Sequence, residues 1–378
     1  MPWSPQTVAD WLLKNAASAK TLDDLTQRVG AQLAQPNAPV SRLRFAMRTL
    51  HPLLAAVGTT WENDIGHKPI VESTHGLETR GGYAGSPMTT VSQSRKSFRQ
   101  NLSTLTADHH KVLHELRAQG GSDYYALPIL FGDRVAAVMT LTTRHAGGFT
   151  HADLAGFDAI AIQLAPFIEV LRLTTLSSAM SEAYLGKHTA KRVLAGEITR
   201  GHVDSIDAAI LISDLRGWTQ LNAERDPVRA VAVANSFFEV MDAAVTSEGG
   251  EILKFMGDAV LAIFPASVGQ KDAVASALRA AEKASSHQTD SLRFGMGLNV
   301  GEVLYGNVGS EKRLDFTVMG PAVNLAARIE SLCAQTDCPI LMSHAAANLV
   351  SRTRQVGTFS LKGLPTRETV FAPGPMLE

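Results

Sequence analysis

Residues 249–264 read GGEILKFMGDAVLAIF, and their reading decides the fold of the second half of the chain. Gly249 and Gly250 end a preceding helix, EILKFM and AVLAIF are short apolar runs, and Gly257-Asp258 between them is a turn signal. The segment predicts a β-hairpin. Two residues stand out from that pattern. Lys254 interrupts an apolar strand, and Asp258 makes the turn acidic. Each has a plain reading by itself, since Gly-Asp is common turn chemistry and strand lysines are commonly solvated.

Toward the N-terminus, a helix is expected from about Pro227 to Thr246, with Ala230, Val233, Phe237, Phe238, Met241 and Val245 on its inner side. Before it, DAAILIS (residues 207–213) is an apolar run that ends on Asp214, and Leu215, Arg216, Gly217, Trp218 and Thr219 follow. A carboxylate at the end of a buried strand, followed by a glycine turn, suits a metal–polyphosphate site: the side chain ligates Mg²⁺ while turn N–H groups face phosphate oxygens. The same Asp could instead simply cap a helix. Toward the C-terminus, RLDFTVMG (residues 313–320) leads into PAVNLAARIESL, where Pro321 suits a first helical position. Asn324 and Arg328 are then i and i+4 on one helix face, placed to hold a ribose oxygen and a phosphate, or else part of an ordinary polar face.

The chain has 378 residues, enough for two domains, of which 45% are hydrophobic and 19% charged. Its 35 Lys+Arg against 36 Asp+Glu give a net charge of -1, which argues against nucleic acid or an anionic membrane as the main partner. No apolar run was expected to span a bilayer, and the first residues lack a signal-peptide pattern, so a cytoplasmic protein is expected. The 2 cysteines, Cys333 and Cys338, are too few for a disulfide framework or a zinc site and read as reduced thiols.

Residues 1–30 read as an N-terminal helical segment, with a second short helix starting after Thr21. His75 to Pro87 reads as a loop. DYYALPIL and RVAAVMTLTT flank Phe131-Gly132-Asp133 and predict a hairpin, with Pro128 at an edge or a bulge. From Thr150, Leu154, Phe157, Ala161, Leu164, Ile168 and Leu171 keep a spacing that could form a helix–helix seam, and Pro166 interrupts it, so a kink or a break is expected near Ala161 to Ala165. Residues 173–202 read as a helical linker. The hairpin, the following GGFTHADLAGFDAIAIQLAPFIE and the size of residues 31–172 resemble a GAF-type sensory domain of α/β build. No ligand follows from that likeness.

Residues 203–378 resemble the catalytic domain of the class III nucleotidyl cyclases. SDLRGWT, GGEILKFMGDAVLAIF, GEVLYGNVGSEKRLDFTVMGPAVNLAARIE and FSLKG carry the resemblance, in the right order. It implies an α+β fold with a ferredoxin-like βαββαβ core. It also implies that Asp214 and Asp258 bind metal, with Leu215 beside Asp214 in the metal set. Lys254 and Thr317 would read the purine, Asn324 would orient the ribose, and Arg328 would stabilise transition-state charge. Gly217, Trp218 and Thr219 would line the phosphates, and Lys362 would reach the terminal phosphate. The implied cofactors are two divalent cations per site, Mg²⁺ or Mn²⁺. The implied assembly is a homodimer whose sites are shared between chains.

A lysine ammonium only donates and adenine N1 only accepts, whereas guanine N1 carries a proton. ATP is therefore the expected substrate, and adenylate cyclase regulated by the N-terminal domain the expected activity. Guanylate cyclase activity and a catalytically silent nucleotide-binding module are the alternatives. Trp218 stands where the family usually has Phe, Phe316 where it has Tyr, and Pro321 where it is commonly acidic, a change that could alter rate or metal preference.

Gly295-Met-Gly297 lacks the third glycine of a dinucleotide fingerprint, and no P-loop exists. His110 and His114 share a helix face near His109, with solvation preferred over ligand binding.

Overall fold

A computed structural model describes residues 4–34, 39–48, 54–76, 82–218 and 227–374. The chain forms two compact units, Met1–Met180 and Ser181–Glu378.

The first unit opens with helices α1 (Pro5–Asn15) and α2 (Leu22–Leu33). Thr21 caps α2, its side chain accepting from the Asp24 N–H at 3.1 Å, where the sequence placed the start. An antiparallel sheet follows in the order β3-β2-β1-β7-β6-β5, with β4 paired to β2. Its strands are β1 (Arg42–Arg48), β2 (Leu54–Glu62), β3 (Gly66–His67), β4 (Val71–Thr74), β5 (Phe98–Asn101), β6 (Asp123–Phe131) and β7 (Arg134–Thr143). β6 and β7 are the expected hairpin, and Pro128 sits beyond the residues β6 pairs with β5, next to a register shift at Ile129/Leu130. Helices α3 (Pro87–Ser94) and α4 (Lys111–Ala118) cover the other side of β6 and β7 through Val91, Leu113 and Leu116.

Helix α5 (His151–Leu185) bears on three expectations from sequence. Phe157, Ala161, Leu164, Ile168 and Leu171, which could form a seam with another helix, are buried in one cluster with Val8 and Leu12 of α1, Leu25 and Val29 of α2, and Leu43, Phe45, Met139 and Leu141 of the sheet. The helix runs through Pro166 without ending. Pro166 lies on the exposed side, and burial of the opposite face holds the turn that lacks its N–H bond. By length and by a mean hydropathy of 1.6 this helix could also cross a bilayer, contrary to the expectation from sequence. Half of that apolar window is buried within the unit, and the helix carries the buried pair Glu169–Arg172 at 2.9 Å.

The second unit is built on β8 (Val203–Leu215), α7 (Pro227–Ser247), β9 (Glu251–Met256), β10 (Ala259–Pro265), α8 (Gln270–Ser285) and β11 (Phe294–Gly309). These six elements are a βαββαβ unit with its strands in the order β11-β8-β10-β9, every neighbour antiparallel. β12 (Leu314–Met319) and α9 (Pro321–Thr336) come next. β13 (Ile340–Met342), β15 (Glu368–Pro373) and β14 (Thr353–Phe359) extend the sheet beyond β11, with α10 (His344–Ala347) following β13 in the chain.

Strand alternation explains the layers. Ala209, Leu211 and Leu215 face α7 and α8, meeting Phe237, Met241, Val274 and Ala277. Ala208, Ile210 and Ile212 face the other way, where Phe316 and Val318 of β12 and Ala326 of α9 cover them. The β11–β12 hairpin therefore folds back over the sheet.

The stretch expected to be a linker contains a short helix, α6 (Lys187–Leu194), fastened to the second unit. The buried Glu251 carboxylate accepts from the Thr189 N–H at 2.9 Å and the Thr189 hydroxyl at 3.0 Å. The Tyr305 hydroxyl donates to the same carboxylate at 3.1 Å.

Gly295 and Gly297 lie in β11, in line with the strand reading. A Cβ on Gly297 would stand 2.3 Å from the Ala326 carbonyl oxygen, so the strand must be bare there for α9 to approach. Gly297→Ala should destabilise the unit by about 1–3 kcal/mol through this overpacking. A urea midpoint equal to that of the parent protein would contradict the packing described.

Candidate active site

The acidic pair is set by strand register. β8 ends beside β10 with Asp214 opposite Ala259, so Asp258 in the preceding turn comes level with the end of β8. The Leu215 N–H donates to the Asp258 carbonyl oxygen at 3.3 Å. Gly257 takes φ +68 in the two-residue turn, a conformation that favours glycine and suits a tight hairpin. Gly217, at φ +75, turns the chain after β8 in the same way.

Burial pushes the Asp214 carboxyl up to about 6, and the carboxylate of Asp258 beside it adds to the rise. Asp214 Oδ1 is buried and has no hydrogen-bond partner. A desolvated, unpartnered carboxylate oxygen facing a second carboxylate is a poor resting arrangement for the protein alone. It fits a hard divalent cation with oxygen ligands. Leu215 packs its side chain into the core, leaving only its backbone for such a role.

Two neighbours that sequence reasoning missed complete this end of the sheet. Arg216 donates to Glu330 Oε1 at 2.8 Å. Its guanidinium fits because Gly295 is bare, since a Cβ there would lie 1.9 Å from Nη2. Glu330 is buried, and burial is the main cause that lifts its carboxyl to about 7. Arg216 opposes that rise, while Asp214 and Asp258 add to it. Glu330 lies two residues after Arg328, so this ion pair ties the end of β8 to the helix that carries Asn324 and Arg328.

The purine-reading candidates sit on another pair of strands. Lys254 of β9 donates to Asp315 of β12 at 2.8 Å. Asp315 was also missed, although it stands two residues before Thr317. The Thr317 hydroxyl is buried without a partner. Asn324 is exposed on α9, and Arg328 is partly buried one turn further along. A Cβ on Gly363 would lie 3.3 Å from Arg328 Nη2, so the FSLKG loop with exposed Lys362 runs past that guanidinium. Trp218 packs against the core below α7. Thr219 lies outside the described residues.

The structure thus brings Asp214 to Asp258, Lys254 to the strand of Thr317, and Arg328 to the loop of Lys362. Residues 202–372 match the family model for the adenylate and guanylate cyclase catalytic domain. The second unit carries a cyclase catalytic domain.

Among curated proteins, an adenylate cyclase of Anabaena cylindrica is 32% identical over 154 residues, covering 38% of this chain and 30% of that protein. The terminal-differentiation-specific adenylate cyclase of Dictyostelium discoideum is 29% identical over 200 residues, covering 49% of this chain and 9% of that protein. An uncharacterized Mycobacterium tuberculosis protein is 32% identical over 198 residues, covering 49% of this chain and 37% of its own. The cyclase domain is thus shared, while the chain spans a minor part of the curated relatives' length. Among solved structures, the adenylyl cyclase CyaB from P. aeruginosa is 26% identical, with a TM-score of 0.42, covering 47% of this chain and 98% of that one. A guanylyl cyclase is 31% identical, with a TM-score of 0.40, covering 47% of this chain and 95% of that one.

The raised Asp214 pKa has a sign that can be tested. A carboxyl whose folded pKa lies above its unfolded value takes up a proton on folding, so the metal-free protein gains stability as pH falls from above about 6 toward the ordinary range near 4. Cation binding needs the ionised form and should weaken over the same interval. Thermal stabilisation by Mn²⁺ should therefore be clear at neutral pH, decline below pH about 6, and vanish in Asp214→Asn, which should itself melt no lower than the metal-free parent at neutral pH. Undiminished stabilisation by Mn²⁺ in that variant would place the cation elsewhere.

Proposed function

We propose that the protein is an adenylate cyclase that converts ATP to 3′,5′-cyclic AMP and pyrophosphate. The observation that carries this reading is the Lys254–Asp315–Thr317 group. Lys254 Nζ donates to the Asp315 carboxylate at 2.8 Å, which orients a group that only donates, suited to adenine N1. The unpartnered Thr317 hydroxyl is free to accept from the adenine amino group. Guanine would present a donor to Lys254 and leave both sets of groups mismatched.

In the reaction, the ribose 3′-oxygen attacks its own α-phosphorus, the 3′-proton leaves, and the bond to pyrophosphate breaks. Asp214 and Asp258 would hold the divalent cations, two per site, Mg²⁺ or Mn²⁺. When bound, these ions lower the pKa of the hydroxyl and neutralise the leaving group. Asn324 orients the ribose. Arg328 stabilises the charge that spreads over the phosphoryl oxygens, a contribution commonly worth roughly a hundredfold in rate. Lys362, on the loop beside Arg328, contacts the terminal phosphate.

The site is completed by a second copy of the chain. Phe255, Met256 and Met319 flank the purine group with exposures of 51%, 41% and 50%, an apolar surface that suits burial in a homodimer. In this reading Asp214 and Asp258 of one protomer face Lys254, Thr317, Asn324 and Arg328 of its partner.

The first unit, read as a GAF-like sensory domain, supplies the regulatory input. α6 supports that role. It is bound to Glu251, three residues before Lys254, and its Arg192 lies over the rings of Tyr305 and Phe316 at 5.2 and 5.0 Å, beside Thr317. A shift of this helix would move both purine-reading residues.

Two experiments test the proposal. Lys254→Met should lower kcat/KM for ATP by roughly ten- to a hundredfold, the cost of an unmet buried acceptor, and narrow the preference over GTP. An unchanged ATP/GTP ratio would remove Lys254 from purine recognition. Asp214→Ala and Arg328→Ala should each be inactive as homodimers, and mixing them should restore activity in heterodimers. Heterodimers that form without recovering activity would show that each site lies within one chain.

A further inference from the structure

Strand β1 divides its side chains between two faces. Leu43, Phe45 and Met47 enter the apolar core of the first unit. Arg42 and Arg44 therefore stand two residues apart on the opposite face of an inner strand, between β2 and β7. The apolar cluster on that face draws on β6 and β7 and contains no residue of β1 or β2.

The charges on this face do not balance. Glu62 lies opposite Arg42 and accepts from Arg42 Nε at 3.1 Å and from Lys68 Nζ at 2.7 Å, so its carboxylate is already shared. Arg44 has no carboxylate among the described residues. Its hydrogen bond goes to the Thr60 hydroxyl, at 3.0 Å from Nη1. Burial is the main cause that draws the Arg44 pKa down to about 10, and the neighbouring Arg42 adds to it. A half-buried cation with no counter-ion among the described residues opposes folding, and an apolar side chain of similar length would pack there without that cost.

The surroundings are shaped for the guanidinium and rich in donors. A Cβ on Gly58 would lie 2.2 Å from Arg44 Nη2, so β2 is bare where the guanidinium lies. Tyr124 neighbours both arginines and shares a hydrogen bond with the Thr140 side chain, and burial raises its phenol, which keeps the hydroxyl neutral. Thr142, paired with Arg42 across the strands, has a buried hydroxyl without a partner. His110 caps α4, which packs on this face, and its Nε2 is also buried and unpartnered. Paired guanidiniums with neutral hydroxyl donors are the chemistry that holds carboxylates and phosphates.

We propose that Arg42, Arg44, Tyr124 and Thr142 form a binding site for a small oxyanion ligand, a carboxylate or a phosphate, on this face of the first unit. The site is separate from the cyclase residues and does not depend on the reading of them.

The test is a thermal titration of the full-length protein, free of divalent cations, with inorganic phosphate and with succinate, against sodium chloride at matched ionic strength. At least one of the two should stabilise the protein saturably. At a concentration about 100 times its Kd it should raise the folded-to-unfolded ratio about a hundredfold. A response to phosphate alone assigns a phosphate ligand, and a response to succinate alone assigns a carboxylate.

Arg44→Met should abolish that response and melt no lower than the parent without ligand, because it removes an uncompensated cation. Gly58→Ala, which displaces the guanidinium, should weaken the response. The proposal is overturned by the absence of a saturable response to either anion beyond chloride. It is equally overturned by an unchanged response in Arg44→Met, or by an Arg44→Met protein that melts well below the parent, which would make Arg44 a structural residue.

Discussion

The placement of Asp214 against Asp258 is the constraint around which the second unit is arranged. Two carboxylates at adjoining strand ends repel, and one of them, Asp214, is desolvated as well. The unit surrounds them with features that make sense only if the pair is to be kept. A glycine opens the turn that presents Asp258, a bare Gly295 admits Arg216, and buried Glu330 anchors that guanidinium. The helix brought close by this anchor is the one that bears Asn324 and Arg328. Within one chain, the proposed metal ligands and the proposed phosphate-binding residues are thereby held by one continuous set of contacts, so that in the proposed homodimer the two sites are coupled through each protomer.

Polar atoms buried without partners are uncommon in folded proteins, and each calls for a reason. In the second unit, Asp214 Oδ1 and the Thr317 hydroxyl are among them. They coincide with the proposed cation site and with the position proposed to read the purine. In the first unit, the Thr142 hydroxyl and His110 Nε2 are among them, on the face where Arg44 has no counter-ion among the described residues. In both units the unmet hydrogen bonds fall where a ligand would supply what the protein does not.

Much of the second unit was legible in the sequence because its signals are local. The GGEILKFMGDAVLAIF hairpin, the run ending on Asp214 and the Asn324/Arg328 spacing each lie within a few residues, and the backbone has few ways to fold them. The partners that orient these groups were not legible. Asp315 is 61 residues from Lys254, and Glu330 is 114 residues from Arg216, so only the folded-back β11–β12 hairpin and the close approach of α9 join them. Both acids lie inside the quoted motifs and passed as ordinary strand and helix residues. Of the kink or break that Pro166 signals, α5 shows no break, its opposite face being buried, and the stretch read as a helical linker holds a helix that Thr189 fastens to Glu251, a contact 62 residues away that local reading does not reach.

The central claim is that these groups cyclise a nucleotide and prefer adenine. Its most direct measurement is to incubate the purified full-length protein with equal concentrations of ATP and GTP, in Mg²⁺ and separately in Mn²⁺, and to identify the cyclic products by mass spectrometry. The account predicts cyclic AMP as the main product, with pyrophosphate released in equal amount. Cyclic GMP as the main product would contradict the reading of Lys254 and Thr317, and nucleotide binding without any cyclic product in either metal would contradict the reaction itself.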